Sequence, residues 1–81
     1  MLEQVKAVLV AALRLGDRGT NLTTDSPLLG NLPELDSLAV INVITALEDS
    51  FGIHIEDDEV SADLFATLGT LTAFVESKLR G

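Results

Sequence analysis

Apolar residues recur at spacings of three and four near both ends of this 81-residue chain. Leu2, Val5, Val8, Leu9, Ala12 and Leu13 trace the stripe of an amphipathic helix over residues 2 to 15. Glu3 near its start and Arg14 near its end complement the helix dipole, and Gly16 is the expected stop. Leu71, Phe74, Val75 and Leu79 trace another stripe, with Thr70 as its expected cap, running to about Arg80.

Between these ends the period changes twice. From Asp17 to Leu35 it dissolves into Gly, Asn, Thr, Ser and Pro, punctuated by Leu22, Leu28, Leu29, Leu32 and Leu35. A connection of that length inside a small domain is often functional, and its leucines predict a loop packed on the core. A short helical turn is expected near Pro27 to Gly30. Residues 37 to 51 are dense in β-branched Val40, Ile41, Val43 and Ile44, which alone suggest a strand. Length, the capping residue Asp36 and the terminal Gly52 decide for a helix. Apolar on most sides, it is expected to be the most buried helix, touching all the others. Ile53 and Ile55 alternate briefly, then Glu56-Asp57-Asp58-Glu59 open a short helix through Leu64 or Phe65. The pattern predicts an all-α fold: a four-helix bundle with a long first loop and a short third helix, in one domain spanning residues 1 to 81.

Composition narrows the function. At 47% hydrophobic with no Trp or Tyr, the core is aliphatic, helped by Phe51, Phe65 and Phe74. No apolar run approaches the roughly 20 residues that cross a bilayer, and the start lacks the pattern of a secretory signal. The expectation is a soluble cytoplasmic protein, monomeric and not inserted in a membrane. With no cysteine there is no disulfide, thiolate nucleophile or zinc–sulfur site. The net charge of −8 is unevenly placed: no Lys or Arg occurs between residues 19 and 77, where eleven of the thirteen acids lie. Such a one-sign surface repels nucleic acid and attracts basic protein patches.

Asp36-Ser37-Leu38 stands where the polar loop meets the apolar helix. Asp36 as N-cap places Ser37 in the first turn with its hydroxyl toward solvent. There, free N–H groups and the helix dipole favour a nearby phosphate. Taken alone, the commoner reading is an ordinary helix-start serine. The wider pattern says more. LPELDSLAVINVITALEDSFGI, followed by Leu68-Gly69-Thr70-Leu71, resembles the acyl carrier protein family across most of the chain. The resemblance implies that Ser37 carries 4'-phosphopantetheine from coenzyme A, attached by a phosphopantetheinyl transferase that supplies base and metal. The thiol missing from the chain then arrives on the arm and holds acyl groups as thioesters. Acyl-activating ligase, synthase or acyltransferase enzymes with basic docking patches are the implied partners, approaching through Asp36, Leu38, Glu48 and Asp49. Val43, Ile44 and Ala46 are the expected lining of an acyl shelter between the helices.

The family often has acids one and four positions after its Asp-Ser-Leu motif, where this chain has Ala39 and Asn42. That neutrality favours a peptidyl, amino-acyl or polyketide carrier over the housekeeping fatty-acid type, while PELDSLAVINVITALE resembles stand-alone carriers paired with acyl-activating ligases in bacterial exopolysaccharide systems. A reading from another class is an unmodified acidic adaptor for basic partners. Catalysis is not expected: Ser37 lies in no Gly-x-Ser-x-Gly elbow, and the lone histidine, His54, is expected to face solvent. Nor is a metal site expected. An EF-hand loop from Asp25 to Asp36 fails at Pro27 and Leu29, and Glu56 to Glu59 read as a solvated helix start.

Overall fold

A computed structural model describes residues 1–30 and 32–80, with Arg18 by its backbone alone. Asn31, read above as part of the turn-rich stretch, and Gly81 lie outside the described residues. Those residues form an all-helical fold of three α-helices: α1 (Leu2–Leu13), α2 (Ser37–Phe51) and α3 (Leu68–Arg80). Three 3-10 turns accompany them at Gly16–Asn21, Asp57–Glu59 and Ala62–Phe65. The expected short third helix thus resolves as two separate turns. Glu56 and Glu59 close the first with a reciprocal capping box, and Val60 and Ser61 then adopt extended backbone. That break lets Leu64 and Phe65 both reach the core.

α1 stops before Gly16, at Leu13, and Arg14 takes the left-handed cap at φ 55° instead of closing the last turn. Leu13 and Leu15 explain why. Two residues apart on a helix they would point in nearly opposite directions. Breaking the helix at Arg14 lets both be buried, at 6% and 4% exposure. Gly52 does end α2 as expected: at φ 65° its N–H donates to the Glu48 carbonyl at 2.8 Å. α3 begins one turn earlier than its stripe predicts. Thr67 is the cap and Thr70 its partner, each backbone N–H donating to the other's hydroxyl at 3.1 Å.

α1 is the central helix, packed on both α2 and α3. Accordingly α2 is less buried than its composition predicts: only Val43 and Leu47 are fully covered, while Leu38 and Ile41 face solvent. Among the described residues no helix is long and apolar enough to cross a membrane.

The loop between α1 and α2 is tied down. Leu28 and Leu29 donate N–H bonds to the carbonyls of Ala66 and Phe65, and Leu68 and Gly69 return bonds to Ser26 and Thr24. Pro27 and Thr67 form an isolated antiparallel bridge between them. Leu22, Leu28, Leu32 and Leu35 are buried as expected; Leu29 instead is exposed. At the short turn expected near 27–30, Leu32 donates to the Leu28 carbonyl at 3.0 Å, the four-residue spacing of a single helical turn that is not continued. Gly69 is required here, because a Cβ would lie 2.9 Å from the Thr24 carbonyl oxygen.

A cation from the C-terminal end reaches the acidic middle of the chain. Lys78 on α3 donates to Glu59 Oε1 at 2.6 Å, with its ammonium 5.6 Å from the Phe74 ring centroid. The Lys78 bond, then the Glu56 N–H, holds the Glu59 carboxyl below its ordinary value of 4.5. A depressed carboxyl stabilises the fold above its unfolded value, and that contribution disappears as pH falls through the folded one. Glu59→Gln is therefore expected to lower Tm at neutral pH, with the gap to wild type closing once pH falls well below 4.5. Thermal melts across that range check it; a gap independent of pH would sink the assignment.

Candidate functional site

The start of α2 is built by the loop that precedes it. Leu35 is buried immediately before the helix, and Val40, five residues on, packs against the same core, the two positions of a hydrophobic staple. Asp36 then caps the helix as the sequence predicts. Its Oδ1 accepts the Ala39 N–H at 2.8 Å, and its carbonyl accepts the Val40 N–H at 2.9 Å. Ser37 is the first helical residue and is exposed. Among the described residues its hydroxyl has no hydrogen-bond partner, so its oxygen is open to a reagent from solvent.

The amides of Ser37 and Leu38 precede the first helical hydrogen bonds and carry the positive end of the helix dipole. An anion attached at Ser37 sits beside them, while the Asp36 carboxylate is held by Ala39. An unpartnered hydroxyl in that position fits a phosphodiester-linked group. The lone histidine is remote from it: His54 lies past the far end of α2, a helix of 15 residues and so about 22 Å long.

Of the expected docking residues, the structure groups some and separates others. Leu38 is 68% exposed, beside Ser37. Ile41, which sequence reasoning missed, is 60% exposed one turn later. With exposed Asn42, Thr45 and Asp49 they form one stripe along α2. A signal for Ile41 was present: residues 37 to 47 hold more apolar side chains than one buried helix face accepts.

Glu48 has a different position. Its carboxylate is half-buried at 27% exposure, and Oε2 accepts the Ile55 N–H at 2.8 Å. His54 Nδ1 is 3.5 Å from the same oxygen, and His54 Nε2 is 2.9 Å from Glu56 Oε1. His54 is on the surface as expected, but it joins two carboxylates there. The acid that opposes the dipole of α2 thus anchors the chain after Gly52. Glu48→Ala is expected to cost about 1–2 kcal/mol of stability by leaving the Ile55 N–H without its acceptor. Glu48→Gln should cost much less, since an amide oxygen still accepts. Denaturant midpoints decide; equal midpoints for wild type and alanine variant would refute this anchoring role.

The residues expected to line an acyl shelter differ in burial. Val43 is fully buried, with Ile44 partly covered beside it. Two surface grooves lie elsewhere: about 300 Å³ beside Lys6, Val10 and Gly19, and about 500 Å³ beside Glu59, Leu64 and Phe74. Among the described residues no group of three His, Cys, Asp or Glu is placed to hold a metal ion.

Comparison with known proteins extends this geometry. Residues 3–75 match the family model for the phosphopantetheine attachment site. An acyl carrier protein of an Exiguobacterium species is 37% identical over 68 residues, covering 84% of this chain and 82% of the relative. One from a Sulfurovum species is 34% identical over 77 residues, covering 95% and 96%. The solution structure of a holo acyl carrier protein from Nitrosomonas europaea superposes with a TM-score of 0.92 at 56% identity, covering 99% of this chain and 96% of that one. These matches run through the capped helix start and its exposed serine, and the chain belongs to the phosphopantetheine-attachment family of acyl carrier proteins.

Proposed function

We propose that this chain carries acyl groups as thioesters on a 4'-phosphopantetheine arm joined to Ser37, and presents them to partner enzymes. The observation that carries the reading is the exposed, unpartnered hydroxyl of Ser37 at the Asp36-capped start of α2, inside the matched region. The Ser37 oxygen forms the new phosphate ester as the pyrophosphate bond of coenzyme A breaks and its adenosine 3',5'-bisphosphate half leaves. A phosphopantetheinyl transferase supplies the base that takes the serine proton and the metal that balances the leaving phosphate. The arm, when bound, supplies the thiol that this cysteine-free chain lacks. The chain's own part is to hold the attachment point rigid and exposed; it does no catalysis.

In this reading the chain is a single, monomeric, cytoplasmic domain. The segment from Asp57 to Phe65 takes the place of the short third helix of a four-helix bundle. Asp36, Leu38 and Asp49 line the approach to the arm, with Glu48 contributing what its anchoring bond leaves free. The neutral Ala39 and Asn42 favour an acyl-activating ligase, synthase or acyltransferase outside housekeeping fatty-acid synthesis.

Incubation with coenzyme A, magnesium and a broad-specificity phosphopantetheinyl transferase tests the reading. One arm is expected per chain, found by peptide mass mapping on the fragment containing Ser37. A chain that stays unmodified would favour the acidic adaptor reading instead.

A further inference from the structure

The chain's one histidine sits between two carboxylates. His54 Nδ1 is 3.5 Å from Glu48 Oε2, and Nε2 is 2.9 Å from Glu56 Oε1. Both acids hold backbone as well. Glu48 Oε2 accepts the Ile55 N–H at 2.8 Å. The Glu56 side chain accepts the Glu59 N–H, and Glu59 in return accepts the Glu56 N–H at 2.8 Å and the Lys78 ammonium at 2.6 Å. A line of contacts thus joins the end of α2 to α3, with His54 as the joint between Glu48 and Glu56. Residues 53–56, which that joint spans, belong to no helix, and Ile55 among them is 5% exposed in the core.

A neutral imidazole has one N–H and one lone pair, whereas an imidazolium donates from both nitrogens. With a carboxylate oxygen at each nitrogen, a neutral ring turns its lone pair on one of them. Only the charged ring faces both favourably. Histidine is the side chain that ordinarily changes charge between about pH 5 and 8. We propose that His54 is a pH-sensitive clasp. Charged, it draws Glu48 and Glu56 together across the segment that follows Gly52; neutral, it releases one of them and loosens the backbone that buries Ile55. The charges around it favour the closed form. Glu48 faces it from α2 and Glu56 from its own segment. Glu59 lies beyond them in the turn Asp57–Glu59, its carboxyl lowered first by Lys78 and last by the His54 charge. Lys78 of α3 is the opposing cation, and Glu59 engages it. The ring is 75% exposed, so water screens both pairs, and the clasp governs one segment rather than the whole fold. It is independent of the chemistry at Ser37.

Thermal melts of wild type and His54→Gln at about pH 5.5 and about pH 8 read the clasp, because contributions common to both proteins cancel. Wild type is expected to melt about 2–4 °C above the variant at the lower pH. The gap should close as pH rises through the histidine range, since the pairs add stability only while the ring is charged. Amide exchange locates the effect. Protection at Ile55, corrected for intrinsic exchange, should fall about threefold relative to α1 in wild type between those two values, and stay level in His54→Gln. His54→Lys keeps its charge at both values and should keep Ile55 protected at the higher pH. A gap that does not change between the two values, or Ile55 protection in wild type that follows α1 throughout, would overturn the proposal. So would loss of that protection in His54→Lys at the lower pH, since a lasting charge would then fail to close the clasp. Circular dichroism confirms that the variants fold, which an exposed position allows.

Discussion

Replacing Ser37 by alanine is expected to abolish attachment of 4'-phosphopantetheine while leaving the fold and its stability nearly unchanged. The substitution removes one exposed oxygen that has no partner among the described residues. The cap that starts α2 belongs to Asp36, through the 2.8 Å bond from Ala39, and survives intact. Surface changes away from a cap, a cavity or a buried polar group shift stability by about 0.5 kcal/mol or less. Alanine is also the better helix former, which offsets any small loss. Intact mass after transferase treatment should therefore show complete modification of wild type and none of the variant, with superimposable thermal melts. Modification that persists in the variant would place the arm on another residue. A variant that fails to fold would show that the Ser37 hydroxyl also holds the structure together. Asp36→Ala separates the two roles: it keeps the hydroxyl but should cost about 1 kcal/mol through the lost cap.

The largest loss of stability is expected from Phe65→Ala. Phe65 is 2% exposed, the largest side chain among those fully buried, in a core otherwise aliphatic. Truncating a buried phenylalanine costs about 3–5 kcal/mol, combining lost burial with the cavity left behind. A domain of this size has about 4–12 kcal/mol in total, so the variant loses a large share of it. Tm should fall by about 15 °C or more. The damage should also spread toward the site. The Phe65 carbonyl accepts the Leu29 N–H at 2.9 Å, within the set of bonds that ties residues 24–29 to residues 65–69. Loosening that seam frees the loop leading to Asp36. Amide exchange at Leu28 and Leu29 is expected to accelerate before that of α1. Phe65→Leu should recover most of the stability. A loss below about 1 kcal/mol for the alanine variant would mean that the core closes around the gap.

Local rules read the capped start of α2 correctly because everything they need lies within a few residues. Asp36 reaches only three positions ahead to Ala39, and Gly52 only four back to Glu48. The amphipathic stripe of α1, the stop of α2 and the exposure of Ser37 all follow from near neighbours and periodicity. The burial of α2 does not. Periodicity shows how much apolar surface a helix has, but not how much of it the rest of the chain covers. Once α1 became the central helix, Leu38 and Ile41 were left on the outside. The role of Glu48 was equally hidden, since its partner is the Ile55 amide, seven residues away beyond the Gly52 turn.

The long loop shows the same division more sharply. Its leucine spacing marked it as packed, yet the strand-like seam with residues 65–69 joins segments some forty residues apart, a pairing no local window contains. That seam also moved the start of α3 back to Thr67 and needs the missing side chain at Gly69. Likewise the acids at 56–59 announced a helix start, and the demands of burying Leu64 and Phe65 turned it into two short turns. The sequence by itself determined the helical class, the capped serine and the charge pattern, each set by short-range geometry and composition. Which helix became central, which apolar face stayed bare and which acid became an anchor were decided by long-range packing, where one segment's surface is another's cover.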